Sequence, residues 1–289
     1  MSRRPECGGR GGRPDRPERP DGGGRPDRPE RSDRGDRGDR GGPSTRVVYG
    51  VGPVRELLAR GAVQKLFVER GRAGKEGRDP VAELLAQAQE RGTPFELCTR
   101  EDLDRQVGDD ARHQGVVAVT GSLRYRDLED LLPERGPALL IALDGVEDPR
   151  NLGAILRSAY LLGAHGVLIP EHRAAEVTAV TTKASAGASE LLPIAKVGNL
   201  VRALEELKAA GVWTVAVHDS AASRPISEID ATMPMCLVLG AEGHGVRPLV
   251  AKCCDFHAVI PMARPEIGSF NVSVAAALAL YDVTSRRTR

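Results

Sequence analysis

The second half of the chain alternates apolar runs with amphipathic stretches. Residues 138–146 form a nearly continuous apolar run, which is typical of a strand buried on both faces of a parallel sheet. Strands separated by helices predict an α/β fold whose mostly parallel sheet is covered by helices on both sides. Further strands are predicted at 166–170, 192–197, 212–218, 235–240 and 256–262, and helices at 151–162, 174–184, 199–210, 246–253 and 272–286.

A shorter alternation precedes this region and predicts a separate, small α/β domain. The first domain spans 46–121 and the second spans 138–289. Residues 122–137 contain charged clusters and two prolines, and they predict a linker with one or two helical turns. In the first domain, strands are expected at 65–69, 95–98 and 116–120, and helices at 51–60, 80–91 and 100–107.

The first 45 residues differ from the rest in composition. They contain 12 Arg, 9 acidic residues, 11 Gly and 7 Pro, and only Met1 and Cys7 are hydrophobic. A segment with so little apolar surface cannot offset the entropy lost on ordering, so it is predicted to be disordered. The whole chain has a formal charge of +1, and the residues after this tail, 29 basic and 31 acidic, are slightly acidic.

Composition also argues against several classes of protein. The chain has no run of about 18 apolar residues and no apolar stretch at its N-terminus, so neither a membrane span nor a signal peptide is expected. Aromatic residues make up only 3% of the chain, which argues against a stacking platform for single-stranded nucleic acid. The cysteines have no paired framework and no CxxC spacing, which predicts a reduced, cytoplasmic protein without a structural metal. They are Cys7, Cys98, Cys236, Cys253 and Cys254.

Three loops that follow predicted strands contain the candidate chemistry, because ligands of parallel sheets bind beyond the carboxyl ends of the strands. The first loop follows residues 138–146 and contains Asn151, a suitable helix N-cap. Arg157 lies six residues further on, in an otherwise apolar helix. A buried guanidinium needs a partner, and the pattern leaves a salt bridge and a ligand equally open.

The second and third loops are rich in glycine and in small polar residues. The second is Gly240-Ala241-Glu242-Gly243-His244-Gly245, whose glycines allow close approach of a ligand and positive φ angles. It matches neither a Walker A loop nor a dinucleotide fingerprint. The third follows residues 256–262 and contains Ser269 and Asn271, both suitable caps for an alanine-rich final helix.

In this order and spacing, the three loops resemble the signature motifs of the SpoU (TrmH-type) family of RNA ribose 2′-O-methyltransferases, within the SPOUT superfamily. Asn151, Gly153 and Arg157 match Asn-x-Gly-x-x-x-Arg in the first loop. The second loop matches Gly-Ala-Glu-Gly, and the third matches Ser-Leu-Asn-Val-Ser-Val with Phe270 in place of leucine.

The first domain resembles the L30e-like substrate-binding domain of one branch of this family. The matching stretches are Val48-Tyr49-Gly50 and residues 113–118, His-Gln-Gly-Val-Val-Ala. That branch is the bacterial 23S rRNA guanosine 2′-O-methyltransferases. The resemblance therefore implies a guanosine in the peptidyl-transferase region of 23S rRNA as substrate. A tRNA, another rRNA nucleotide, and a non-catalytic RNA-binding assembly factor stay open as alternatives.

The resemblance also implies an S-adenosylmethionine-dependent enzyme with a C-terminal trefoil knot, which acts as a homodimer and needs no metal. Cofactor contacts are implied for Gly240, Ile260 and Phe270. Arg157 is implied to contact the target nucleotide. Because Arg stays protonated in proteins, we expect Arg157 to hold a phosphate through two nitrogens and to stabilise the developing alkoxide, and not to act as a base.

The other site residues implied by the motifs are Asn151, Glu242, Ser269 and Asn271. We expect the two asparagines to form hydrogen bonds in the site, and Glu242 either to organise its loop or to pair with Arg157. Basic residues concentrate in the first domain, where they would hold RNA phosphates or form a solvated charged face. They are Arg46, Arg55, Arg60, Lys65, Arg70, Arg72, Lys75 and Arg78. The tail, with its small net charge, is expected to be a solubilising extension in preference to an RNA-contacting arm.

Overall fold

The computed structural model describes residues 45–73, 79–108, 111–264, 266 and 268–288. The tail that was predicted to be disordered lies outside the described residues, except for Thr45. One sheet is built from residues 46–120 and a second from residues 139–259. We call the residues around the first sheet the N-terminal lobe (45–121) and those around the second the C-terminal lobe (122–288).

The N-terminal lobe is a mixed sheet between helices. Its strands are β1 (Arg46–Tyr49), β2 (Val63–Glu69), β3 (Phe95–Cys98) and β4 (Val116–Thr120), in the order β1-β4-β2-β3. Its helices are α1 (Val51–Ala59), α2 (Arg70–Ala73), α3 (Pro80–Glu90) and α4 (Arg100–Val107). β4 runs antiparallel to β1 and β2, whereas β2 and β3 are parallel. α1 and α3 pack on one face and α4 on the other, and Asp79 and Thr99 cap the N-termini of α3 and α4.

The C-terminal lobe contains a sheet in which every described strand pair is parallel, as predicted. The order is β7-β6-β5-β10-β8-β11-β9. The strands are β5 (Leu139–Asp144), β6 (Gly166–Pro170), β7 (Ile194–Val197), β8 (Trp213–Val217), β9 (Arg224–Pro225), β10 (Met235–Gly240) and β11 (Phe256–Val259). The helices are α5 (Pro149–Leu161), α6 (Ala179–Ala184), α7 (Leu200–Ala209), α8 (Pro248–Cys253) and α9 (Val272–Arg287).

Helices cover both faces of this sheet, which explains why its strands are apolar along their whole length. Alternate side chains of β5 enter two different cores: Leu139 and Ile141 pack with α5 and α9, whereas Leu140 and Ala142 pack with α7 and α8. Among the described helices, none is long and apolar enough to cross a membrane.

The limits of several elements differ from the predicted ones. α6 was expected to begin at residue 174, but Thr178 caps it and the helix begins at Ala179. α8 begins at Pro248, because a residue before proline is disfavoured in the helical conformation, and Arg247 has an extended ψ angle of 143°. β11 ends at Val259, before the predicted limit of 262, and the short strands β1 and β9 were not predicted.

The segment 122–137, which was expected to be a linker, packs against the second sheet. It contains a single 3-10 turn, Glu129–Leu131, and Leu131 is 1% exposed. A Cβ atom on Gly166 of β6 would lie 2.4 Å from Cγ of Leu131, so this glycine leaves the space that the leucine fills. The N–H of Arg126 donates to the carbonyl of Ile194 over 2.8 Å, which adds the segment to the edge of the sheet.

Truncating the docked leucine tests whether this segment is part of the core. Leu131→Ala is expected to lower the free energy of unfolding by about 2–5 kcal/mol, because it removes buried methyl groups and leaves a cavity. The control is Leu249→Ala, at a leucine that is 76% exposed, with an expected change within about 0.5 kcal/mol. Urea unfolding followed by circular dichroism measures both, and equal small effects would contradict the docked arrangement.

Candidate functional site

A cavity lies beyond the carboxyl ends of three neighbouring strands, β8, β10 and β11. Parallel strands end at the same edge of a sheet, so the loops that follow them come together there. The cavity has a volume of about 520 Å³. Its lining consists of residues 217–219, 239–246, 259–260, 262, 268–270, 272 and 275.

The glycine-rich loop after β10 forms one wall of this pocket through its backbone. A Cβ atom on Gly240 would lie 1.9 Å from the carbonyl carbon of Gly245, so only glycine permits this closure. The N–H of Gly245 donates to the carbonyl of Ala241 over 2.9 Å. Gly243 and Gly245 have φ angles of 82° and 64°, in the left-handed region that favours glycine. The predicted positive φ angles are therefore found at two glycines of this loop, Gly243 and Gly245.

An ion pair between a buried carboxylate and a half-exposed arginine fixes the far end of the same loop. Asp144, the last residue of β5, is 1% exposed. One carboxylate oxygen accepts from the backbone N–H of Arg247 over 2.8 Å, and the other accepts from its guanidinium Nε over 2.7 Å. Sequence reasoning missed this anchor, although an Asp at the end of an apolar strand is a signal that marks Asp144 itself, since a buried carboxylate needs a partner.

Three predicted site residues, one from each of three loops, meet in a polar cluster beside the pocket. Asn151 donates from Nδ2 to Oε1 of Glu242 over 3.1 Å, and Asn271 donates from Nδ2 to Oδ1 of Asn151 over 3.2 Å. Asn271 Nδ2 also donates to Glu242 Oε1. Oδ1 of Asn271 accepts from the N–H of Ser273 over 2.9 Å, so Asn271 caps α9 as predicted.

The N-cap role expected for Asn151 is wrong. α5 begins at Pro149, and its cap is Asp148, whose carboxylate accepts from the N–H of Arg150 over 2.8 Å. Asn151 therefore lies in the first turn of the helix, and its side chain is available for the contact with Glu242.

Arg157 is exposed, so the salt-bridge alternative, which assumed a buried guanidinium, is wrong, and the ligand alternative stays a prediction. Arg157 forms no hydrogen bond or ion pair with any described residue, and in particular none with Glu242. α5 buries Leu152, Ile155 and Leu156, and Arg157 extends from another side of the helix. Water can solvate its guanidinium there, which leaves all five N–H donors free for a ligand.

Five predicted site residues line the pocket itself, including Glu242 of the polar cluster. They are Gly240, Glu242, Ile260, Ser269 and Phe270. Ser269 does not cap a helix, since the cap of α9 is Asn271.

Sequence reasoning missed two polar lining residues, His218 and Asp219, which directly follow β8. Nε2 of His218 is 2.8 Å from Nδ1 of His257. Burial, and then the neighbouring His257, lower the pKa of His218, whereas Asp219 raises it by less. Among the described residues, no group of three or more His, Cys, Asp or Glu side chains is placed to hold a metal ion.

Most described members of the predicted basic cluster are paired within the protein. Lys65 and Arg72 form ion pairs of 2.7 Å with Glu96 and Asp79. Arg46 pairs with Glu190 over 2.7 Å. Arg55 pairs with Glu83, and Arg60 and Arg70 donate to backbone carbonyls. Lys75 and Arg78 lie outside the described residues. The cluster is therefore largely neutralised.

A second cavity, of about 430 Å³, lies in the N-terminal lobe and carries positive charge. Arg100 and Arg112 both line it, and neither forms a hydrogen bond or ion pair with any described residue. The remaining lining residues are Glu69, Gly71, Arg72, His113, Gln114 and Gly115. His113 is buried and bonded to Asp104 over 3.0 Å, so it has a structural role.

The fold and the pocket define a parallel α/β protein that binds a ligand at the carboxyl edge of its sheet. Residues 138–281 match the SpoU rRNA Methylase family, and residues 47–126 match the family described as RNA 2′-O ribose methyltransferase substrate binding. The chain is 41% identical over 210 residues to the Bacillus subtilis (strain 168) protein YacO, which is named as a putative TrmH family tRNA/rRNA methyltransferase. The alignment covers 71% of this chain and 82% of that protein.

Solved structures agree with this assignment. The SpoU methyltransferase AviRb from Streptomyces viridochromogenes, in complex with AdoMet, is 28% identical, with a TM-score of 0.70 over 88% of this chain and 95% of that one. An AdoMet-bound rRNA methyltransferase from Sinorhizobium meliloti is 26% identical, with a TM-score of 0.69 over 84% of this chain and 87% of that one. The chain belongs to the SpoU (TrmH) family of RNA methyltransferases.

A single methyl group tests the closure of the glycine-rich loop. Gly240→Ala is expected to lower the free energy of unfolding by about 1–3 kcal/mol, because the new Cβ meets backbone atoms that cannot move aside independently. Gly52→Ala is the control: its Cβ would meet nothing closer than 3.6 Å, and it lies in helix α1, where alanine is favoured. Urea unfolding compares the two, and an equally harmless change at both positions would refute the steric argument.

Proposed function

We propose that this chain transfers the methyl group of S-adenosylmethionine to the 2′-hydroxyl of a guanosine in the peptidyl-transferase region of 23S rRNA. The observation that carries the proposal is the contact among Asn151, Glu242 and Asn271, one residue from each motif, beside a pocket of cofactor size. The rRNA methyltransferases among the solved relatives support the substrate class.

The pocket fits S-adenosylmethionine in size and in chemistry. A volume of about 520 Å³ lies within the range of small-molecule sites. Ile260 and Phe270 offer apolar surface for the adenine, and the backbone around Gly240 offers hydrogen-bonding groups without an intervening side chain. When bound, the cofactor supplies a methyl group on a positively charged sulfur. Two solved relatives contain it.

The chain's own contribution is to position the RNA and to stabilise developing charge. Arg157 is the proposed phosphate ligand, since its donors are free and a guanidinium binds phosphate through two parallel hydrogen bonds. It also stabilises the alkoxide that forms as the 2′-hydroxyl loses its proton. Because Arg stays protonated, the proton leaves to water or to a phosphate oxygen. The Asn151–Glu242–Asn271 cluster holds the loops together at the edge of the pocket, and Ser269 lines the pocket beside it.

A second copy of this chain is the proposed occupant of an exposed apolar face. On α9, Val274, Leu278 and Tyr281 are 45%, 39% and 63% exposed, at the spacing of one helix face. Tyr160 and Leu161 of α5 are 44% and 70% exposed, and α5 packs against α9. Arg157 precedes Tyr160 by three residues and so lies beside this face. Dimerisation would therefore shape the surroundings of Arg157.

The proposal also includes the division into domains, the knot and the location in the cell. We infer an L30e-like N-terminal domain over 46–121, a methyltransferase domain over 138–289 with a trefoil knot around the pocket, and a cytoplasmic location. Separate family matches to residues 47–126 and 138–281 support this division.

The deciding experiment offers labelled S-adenosylmethionine with unmodified 23S rRNA and with tRNA, and maps the product by mass spectrometry. A 2′-O-methylguanosine in the peptidyl-transferase region is the expected result. Label in tRNA alone would refute the rRNA target but keep the chemistry, an alternative that the tRNA/rRNA name of the Bacillus subtilis relative favours. Cofactor binding without transfer to either RNA would point to a different RNA. Failure to bind the cofactor would leave a non-catalytic RNA-binding factor.

Substitution of Arg157 tests its proposed role. Arg157→Ala and Arg157→Lys are both expected to lower kcat by about 10²–10³, since lysine cannot reproduce the two-nitrogen contact. Affinity for S-adenosylmethionine should not change, because Arg157 does not line the pocket. The control is Arg150→Lys, at an exposed arginine of the same helix. Near-full activity of Arg157→Lys would rule out bidentate phosphate binding.

The second cavity is the proposed phosphate site of the N-terminal lobe. The double variant Arg100→Ala/Arg112→Ala is expected to weaken RNA binding. The slope of the logarithm of the association constant against log salt concentration should fall in magnitude by about one for each phosphate that the protein no longer binds. Arg105→Ala is the matched control, because this arginine of the same helix is already paired with Asp102. Filter binding across a salt series compares both variants with the unaltered chain, and an unchanged slope in the double variant would exclude the site.

A further inference from the structure

Residues 179–190, which we call the α6 segment, lie between the N-terminal lobe and helix α5. The segment comprises α6 and the 3-10 turn Ala188–Glu190. On one side it packs against β1 and α1 of the N-terminal lobe. On the other it contacts α5 so closely that a Cβ atom on Gly153 would lie 2.5 Å from Cβ of Ala184 and 2.7 Å from the carbonyl oxygen of Thr181. The α6 segment is therefore the physical connection between the two.

A buried ion pair joins the N-terminal lobe to this segment. Nη2 of Arg46, on β1, is 2.7 Å from Oε2 of Glu190, and the two side chains are only 14% and 6% exposed. Thr182 accepts from Nη1 of Arg46 over 3.2 Å, and Ser189 donates to Oε1 of Glu190 over 3.3 Å. The backbone carbonyl of Glu190 accepts from Arg60 of the N-terminal lobe over 2.8 Å. A pair of charges so buried tolerates only a narrow range of geometries, because a separated charge would be left without water.

A second contact joins the same segment to the wall of the charged cavity. Lys183 donates to Oε1 of Gln114 over 2.7 Å, and the same oxygen accepts from the N–H of Val51 over 3.2 Å. Gln114 has a φ angle of 57°, unusual for a residue other than glycine, and its carbonyl accepts from Arg72 over 2.7 Å. Gln114 thus touches both the cavity and the α6 segment.

We propose that Glu190 and Lys183 are positioning residues, which hold the N-terminal lobe at a fixed place relative to α5. This inference rests on the proposed function, because a fixed position of the N-terminal lobe matters only if the lobe binds the RNA that is methylated. RNA bound on the N-terminal lobe then presents its target ribose to the helix that carries Asn151 and Arg157. Neither residue touches the cofactor pocket or the polar cluster, so both act on RNA placement and not on the chemical step.

The test uses the full chain with Glu190→Ala, Lys183→Met and the control Glu83→Ala, which removes a solvent-exposed ion pair to Arg55 in the same lobe. In Glu190→Ala we expect amide hydrogen exchange of residues 182–190 to become at least tenfold faster, while β2 and β10 keep their protection. We expect KM for rRNA to rise at least tenfold in Glu190→Ala and severalfold in Lys183→Met. In both, kcat should stay within threefold and the Kd for S-adenosylmethionine should be unchanged.

The outcomes separate this inference from the function on which it rests. Faster exchange with an unchanged KM would overturn the positioning role and leave a purely structural contact. A fall in kcat without a change in KM would also overturn it. The exchanged-charge variant Arg46→Glu/Glu190→Arg should restore part of the original KM, and no recovery would count against the ion pair. If wild-type protein methylates no RNA, the proposed function fails, and RNA affinity of the same variants then decides the inference.

Discussion

Parallel pairing of β5 with β10 is the constraint on which the rest of the site depends. Its register sets Asp144 opposite Gly240, so that both strands end at the same level. The loop that contains Asn151 and the loop that contains Glu242 therefore leave the sheet side by side. The buried carboxylate of Asp144 then reaches Arg247, where the glycine-rich loop ends. β8 and β11 extend the same edge, and the loop after β11 brings Asn271 to the other two residues.

The class of fold and the position of the site were predictable because burial on both faces demands an apolar run for each parallel strand. Such runs identified β5, β6 and β10 with errors of at most two residues at either end. The rule that ligands bind at the carboxyl edge then pointed to three loops before any residue role was considered. The cap at Asn271 and the positive φ angles at Gly243 and Gly245 were also predictable, since a helix cap and a tight turn are local requirements.

Contacts between distant parts of the chain were not predictable from pattern alone. Asp144 and Arg247 are 103 residues apart, and no local signal pairs them. Arg157 was expected to be buried because its neighbours are apolar, yet an amphipathic helix has a solvated side on which a charge needs no partner. The capping position expected for Asn151 belongs to Asp148, three residues earlier and equally suited to it. The packing of Leu131 under β6 depends on the space left at Gly166, which only the folded sheet defines.

Gly153, the third residue of the first motif, has a packing role that the motif alone does not show. It sits inside α5, where glycine weakens a helix, and the missing side chain is what lets α6 cross at that point. The first motif therefore contains one residue that is required for the close packing of α5 and α6, besides the residues proposed for the chemistry. Its asparagine and arginine specify what the site can bind, whereas its glycine specifies how near a neighbouring backbone must come. The seven residues from Asn151 to Arg157 thus meet two independent requirements, ligand binding and helix packing.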